Sequence, residues 1–299
     1  MERWYQIFCI KSCCAMIKHG SILLLLGFLF FAVPGLMAQE KDPVFVLNGY
    51  VSTMQSVMFE KADEPWTNDN LIHNRLNTRL FLGKSVTVVA ELRNRLFTGD
   101  MVRFYDGYAA EIGNDMGWAD LSWNLVDENS VLLNTTLDRF YIDITGKGFQ
   151  FTAGRQRINW GQTFVWNPND IFNAYSYFDF DYVERPGSDA ARFQLFPSYS
   201  SVIELAVKVN SENELTTAAL VRVNKWSYDF QFIGGYVNSE DIVIGTGWSG
   251  NIGSTSFRGE ISWFEPAGEK SDSTGTGLFT IGFDRSFSNN SMLQLQFMY

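Results

Sequence analysis

The densest group of chemically capable side chains in this sequence begins where a strand-like run ends, at Arg155 and Arg157. Asn159 and Trp160 follow at once, and downstream stand Asn167, Asn169, Asp170, Asp179, Asp181 and Arg185. An arginine carries a planar fork of donors that fits carboxylates and phosphates. Two uses of Arg155 and Arg157 therefore stand side by side. They pair with acids of the following segment, such as Asp170, Asp179, Asp181 or Glu184, and pin it in place, or they meet a charged solute directly. Asp179, Asp181 and Glu184 are hard oxygen donors of the kind Ca²⁺ takes, but no glycine closes the loop as a calcium loop requires. No metal ligand is assigned. The aromatics Trp166, Phe172, Tyr175, Tyr177, Phe178 and Tyr182 can stack on sugars or fasten the segment as a small core, and the second use is preferred.

Catalytic chemistry finds little support. Past the first 38 residues the chain holds one histidine, His73, beside Asp69, Asn70 and Asn74, and no cysteine. A nucleophile needs a positioned base, and a lone histidine with no evident serine partner is expected to be merely solvated. The run Gly245 to Gly250 matches GxGxxG and follows a strand. It leads into another strand rather than a helix, so its glycines read as turn residues and no nucleotide is implied. No catalytic residue and no cofactor is expected.

The elements that must position these side chains are strands. Residues 1–38 read as a cleaved leader: Ile22 to Val33 is an apolar core too short for a span of about 20 residues, Pro34-Gly35 breaks it, and Ala38 precedes a cleavage point at Gln39. Met16 is a plausible alternative start, and Cys9, Cys13 and Cys14 lie upstream of it. The expected domains are the leader, 1–38, and an outer-membrane β-barrel, 39–299, incomplete at its C-terminus. Beyond the leader no run approaches 18 apolar residues, so no membrane helix is expected. Segments of about 10 residues with alternating polarity recur instead. Leu76, Leu80 and Leu82 alternate with Arg75, Asn77 and Arg79; Val86, Val88, Ala90 and Leu92 with Thr87, Glu91, Arg93 and Arg95; Phe140, Ile142 and Ile144 with Arg139, Tyr141 and Asp143. Trp226, Tyr228, Phe230 and Phe232 share one face, as a lipid-interface girdle would.

Connections alternate long and short: 58–71, 98–130 and 161–190 are long, while 83–85, 146–148 and 197–200 are tight. Loops segregated to one rim characterise outer-membrane barrels rather than secreted sandwiches. The expected fold is thus all-β, an antiparallel transmembrane β-barrel of about 12–16 strands with the 161–190 segment folded inward. Thirteen segments are recognisable, an odd number. Two explanations are open: a hairpin hidden near Trp118 to Leu125, or a chain that continues past residue 299.

The run Gly154-Arg155-Gln156-Arg157-Ile158-Asn159-Trp160-Gly161, then Trp166-Asn167-Pro168-Asn169-Asp170-Ile171-Phe172, resembles porin-like outer-membrane channels of Gram-negative bacteria. The likeness is close in these two motifs and loose elsewhere. It implies a channel of about 14 to 18 strands for small solutes and names no solute.

Gly154 and Gly161 suit a bulge and a sharp exit, and a bulge would turn Arg155 and Arg157 inward. Arg93, Arg95 and Arg139 join them as pore-lining candidates, with Asn159, Trp160, Asn167, Asn169, Asp170, Asp179, Asp181 and Arg185 at a constriction. Charged residues are 19% of the chain, below the usual share of about 25%. Removing Arg3, Lys11, Lys18 and Glu2 with the leader takes the net charge from −10 to −12. Such an acidic chain is a poor nucleic-acid binder. The expected partners are a lipid bilayer and small hydrophilic solutes, with a homo-oligomer as a compatible assembly. The inner strand positions are mildly basic, which predicts weak anion preference in the absence of the excursion's acids; mixed charges with no selectivity are the equal alternative. The competing reading is a non-conducting adhesin or scaffold barrel displaying its long loops, and a barrel-embedded hydrolase ranks below both.

Overall fold

The computed structural model describes residues 43–59, 61–63, 65–173, 184–267 and 274–299. Asp179 and Asp181, with Tyr175, Tyr177, Phe178 and Tyr182, lie outside the described residues. Fourteen strands form a single antiparallel sheet. The first three are β1 (Phe45–Met58), β2 (Thr67–Leu82) and β3 (Val86–Gly99). Two short helices, α1 (Asp100–Phe104) and α2 (Tyr108–Gly113), precede β4 (Ser122–Glu128). Then come β5 (Val131–Gly146), β6 (Phe149–Gln156), β7 (Ser188–Ser198), β8 (Ser201–Val209), β9 (Leu215–Lys225) and β10 (Tyr228–Val237). The sheet ends with β11 (Asp241–Ile252), β12 (Thr255–Pro266), β13 (Thr276–Ser286) and β14 (Met292–Met298).

Each strand pairs with the next in a continuous meander, except β4, which lies beside the upper part of β5. There it occupies the flank of β5 that β6 leaves free when it ends at Gln156. This is the hairpin whose traces were visible near Trp118 to Leu125. Because β4 is off the path, 13 strands follow one another and β1 and β14 run in the same direction. They cannot close on each other as an antiparallel pair, and no pairing joins them among the described residues. The expected ring is therefore an open sheet here.

Alternation assigns the two faces. On β2, β3 and β5 the outer rows read Leu82–Val86–Ile144, Leu80–Val88–Ile142, Thr78–Ala90–Phe140 and Leu76–Leu92–Leu137. The next row, Asn74–Asn94–Thr135, is polar and hydrogen-bonded along its length: Asn94 Nδ2 donates to Asn74 Oδ1 (3.1 Å) and Thr135 Oγ1 to Asn94 Oδ1 (2.9 Å). From Leu82 to Asn74 the strand rises eight residues. At about 3.3 Å each and a tilt near 40°, this covers roughly 20 Å, close to the ~25 Å apolar band of a membrane barrel. Near the tight-turn rim of β10–β13 the outer face carries aromatics in contact, Tyr228 on Phe230, Trp248 by Phe257, and Phe257 on Phe283. The inner face buries Arg75, Arg93, Asn134, Glu204, Gln231 and Glu260 instead. No helix among the described residues is long and apolar enough to cross a membrane. The fold is the expected all-β transmembrane-barrel class, built inside out relative to a soluble sandwich.

Two long connections fold onto the inner face. The segment after β3 packs Val102, Tyr108, Ala109 and Ile112 against Leu71, Phe97 and Leu132. The excursion between β6 and β7, residues 157–187, packs Ile158, Trp160 and Phe172 against Ala206, Ala218, Leu220 and Ile233. The first of these insertions was expected only as a long connection, 98–130, without helices. Its helices are only 5 and 6 residues long, too short to leave an amphipathic period.

Candidate functional site: a segment strung across the inner face

The outgoing half of the excursion is held by groups reaching up from the wall. Trp160, 1% exposed, stacks edge-on against Phe172 with ring centroids 4.8 Å apart. Its indole N–H donates to Glu204 Oε1 on β8 (2.7 Å), and its carbonyl accepts from Gln231 Nε2 on β10 (2.8 Å). Farther along, one carboxylate serves as a knot. Glu260 on β12 accepts from the backbone N–H groups of Gln162, of Thr163 (2.8 Å) and of Asn169 (2.9 Å). The Asn169 side chain donates to the Thr246 carbonyl (3.0 Å) and accepts from Ser262 Oγ (2.8 Å). Gln296 on β14 receives Val165 N–H (2.8 Å) and donates to the Trp166 carbonyl (2.9 Å). Asn167 Oδ1 accepts from Thr163 Oγ1 (3.0 Å). Asn159 folds back locally, accepting from Gly161 N–H at 3.3 Å.

The returning end is tied to the opposite stretch of wall. Arg139 on β5 donates to the carbonyls of Glu184 (3.1 Å) and Arg185 (2.5 Å), and Arg157 also donates to Glu184 (3.0 Å). The Glu184 carboxylate accepts from Tyr50 on β1 (2.7 Å) and lies 3.7 Å from Arg75 Nε. Arg75, fully buried, pairs with Asp138 (2.5 Å) and Glu91 (2.6 Å). Asp138 was not foreseen, because period-two counting hides it. The register slips by one between Glu91 and Leu92, so β5 carries an extra residue here. Asp138 and Arg139 are consequently both buried rather than on opposite faces.

Arg155 departs from expectation. β6 contains no register shift, so Arg155 keeps its place opposite Phe140 and Asp189. The local irregularity is Gly154, at φ 114° and so close to the Phe140 carbonyl that a Cβ would sit 2.3 Å from it. The Arg155 guanidinium is instead enclosed, pairing with Asp189 (2.8 Å) and Asp115 (2.5 Å) and donating to the Ala119 carbonyl (2.5 Å). It does pin loops, but through Asp115 and Asp189 rather than Asp170. Arg93 and Arg95 project from β3 into a cavity of about 150 Å³, also bordered by Asn114, Asp115, Ser122 and Thr136. Arg95 donates to Asn134 Oδ1 (2.9 Å) and the Ile112 carbonyl (3.1 Å). His73, expected in solvent, is buried beside the Tyr50 ring.

Asp170 is the site's unusual carboxyl. Burial pushes it up to about 7; the Trp160 N–H (3.4 Å) and the charge of Arg157 pull the other way, Glu260 raises it further, and Lys208 lowers it. Its Oδ2 is buried with no hydrogen-bond partner among the described residues. No cluster of metal-ligating side chains occurs among the described residues.

An antiparallel sheet with an apolar exterior, a charged inner face and an inserted segment bound from both sides defines a fold class, the antiparallel transmembrane β-barrel with a long segment folded onto its inner face. No family model and no curated protein sequence matches the chain. Among solved structures, an anion-selective porin from Comamonas acidovorans aligns over 85% of this chain and 77% of its own, at 11% identity and TM-score 0.49. A loop L8 deletion mutant of OmpT, an outer membrane protein of Vibrio cholerae, aligns over 86% and 82% at 9% identity and TM-score 0.49. Pseudomonas aeruginosa OccD3 (OpdP) aligns over 85% and 55% at 8% identity and TM-score 0.44.

Proposed function

We propose that the chain forms an outer-membrane, porin-like channel through which small hydrophilic solutes pass passively, with the 157–187 excursion narrowing the passage. One observation carries this reading. The excursion is fastened to β8–β14 at its outgoing half and to β1, β2 and β5 at its return, so it crosses the space in front of the inner face. A segment that only decorated the rim would not engage buried polar groups of both walls, Glu204 and Glu260 on one side and Arg75 and Arg139 on the other. Export through the 1–38 leader and insertion among lipids follow from the same reading, and no chemistry on the solute is included in it.

The solute class follows from charge. Arg93, Arg95, Arg139 and Arg157 face the passage, but acids already engage Arg75, Arg139 and Arg155. The inner strand positions carry more Arg and Lys than Asp and Glu, a composition that favours small anions weakly. The test is conductance of the purified, refolded protein in a planar bilayer. Discrete ionic steps are expected, with a small reversal potential of anionic sign under a salt gradient. An inserted protein that passes no current would support a closed scaffold and refute the channel; clear cation selectivity would refute the charge assignment alone.

A further inference from the structure

The six connections on the rim opposite the long segments are all short, and their charges are sorted. Residues 83–85, 147–148, 199–200, 226–227, 253–254 and 287–291 contain no Asp or Glu. Lys84 and Lys147 lie within two of them, Lys225 directly abuts a third and Arg285 lies two residues before a fourth, all four exposed. Lys225 Nζ sits 4.6 Å from the centroid of Trp226, and Arg285 lies 5.4 Å from that of Phe287.

The carboxylates nearest this rim are on the inner face and already engaged. Asp143 accepts from Thr152 (2.9 Å), Asp229 from Asn224 (2.7 Å), and Asp284 pairs with Arg258 (2.6 Å). At the opposite rim the exposed charges are largely acidic, as at Asp63, Asp106, Asp120 and Glu212. In a chain of net charge −10, these turns hold cations and no acid, and two of the four cations lie over aromatic rings.

We propose that the tight-turn rim is a docking surface for anionic phospholipid headgroups in the leaflet it faces. The inference rests on the membrane reading above. Cations at a membrane surface attract anionic headgroups, and a ring beneath the cation fixes its height at the interface. The aromatic contacts Tyr228–Phe230 and Phe257–Phe283 continue directly from these turns onto the lipid-facing wall. One headgroup phosphate would thus meet Lys225 or Arg285 while its acyl chains lie along those rings.

The experiment uses the full chain refolded into vesicles of phosphatidylcholine mixed with phosphatidylglycerol, one or the other carrying brominated acyl chains. Quenching of tryptophan emission at equal mole fraction then reads the relative association of the two lipids. Preference for phosphatidylglycerol is expected, about fivefold for a lipid that engages one cation. It should fall to parity in the variant combining Lys84→Gln, Lys147→Gln, Lys225→Gln and Arg285→Gln. Equal quenching by both lipids in the native chain, or a preference unchanged in that variant, overturns the proposal. Loss of the preference on adding inorganic phosphate overturns the lipid assignment in favour of a free-anion site. Should the combined variant not insert, Lys225→Gln and Arg285→Gln singly must each lower the preference. Failure of the native chain to insert, seen as tryptophan emission that stays water-like, would refute the membrane reading instead.

Discussion

Replacing Glu260 with alanine should unfasten the outgoing part of the excursion while leaving the wall in place. The side chain gathers three backbone N–H groups, those of Gln162, Thr163 and Asn169. A hydrogen bond to a charged acceptor contributes about 1.5–3 kcal/mol. Water entering the vacated site replaces part of this, so the loss is roughly 3–5 kcal/mol. At ~1.4 kcal/mol per tenfold, detachment of residues 161–170 becomes at least about a hundredfold more populated. The hold at Ile158, Trp160 and Phe172 is separate and persists. Larger and noisier single-channel currents are expected, together with protease cleavage within 161–170 that the native chain resists. Glu260→Gln keeps one acceptor oxygen and should fall between the two. If Glu260→Ala shows native conductance, native noise and native protease resistance, the excursion does not set the passage and the constriction argument fails.

Three further outcomes follow from the same geometry. Asp170 has a folded pKa raised to about 7, so its neutral form is the favoured one in place: its contribution to stability is full below the ordinary carboxyl range and is lost as pH rises through 7. Open-channel noise should therefore rise between about pH 4 and 7 and level off above, and Asp170→Asn should abolish that rise; a shift of this size is worth roughly 4 kcal/mol. Trp160→Ala removes a fully buried ring whose indole N–H donates to Glu204 and should cost about 3–5 kcal/mol, read as a lower unfolding midpoint in denaturant. Asp138→Ala strips the fully buried Arg75 of one of its carboxylate partners and should cost about 3–5 kcal/mol, whereas a surface change such as Asp63→Asn should leave the midpoint within ~0.5 kcal/mol.

How much of this was readable in advance depended on whether the information was local. Lipid-facing rows such as Leu76, Leu80 and Leu82 against Arg75, Asn77 and Arg79 are fixed by period-two geometry, and the structure keeps them. The acids Glu204 and Glu260 are likewise inner-face positions by parity. What parity cannot supply is the partner: the three N–H donors of Glu260 lie roughly a hundred positions away in sequence and are brought together only by the excursion's path. Asp138 was invisible because a bulge adds one residue without a sequence mark. Gly154 did mark an irregularity, yet Arg155 was enclosed by Asp115 from a different loop rather than turned by a bulge.

The way the two inserted segments are attached bears on selectivity. The α1–α2 segment is held by apolar contacts with Leu71, Phe97 and Leu132 and by polar ones from Asp69, Arg95 and Asn124. The excursion is held by buried polar groups, because backbone N–H and C=O groups crossing an inner space must find acceptors and donors somewhere. Each carboxylate used that way, Glu204, Glu260 and Glu184, no longer acts as an open anionic site toward the passage, and each arginine turned to a carbonyl or carboxylate is likewise occupied. The inner face thus has many charges but little uncommitted field. On the proposed channel reading, a passage lined this way would discriminate by width and hydrogen bonding more than by sign, which is why the expected anion preference is weak although basic side chains line the strands.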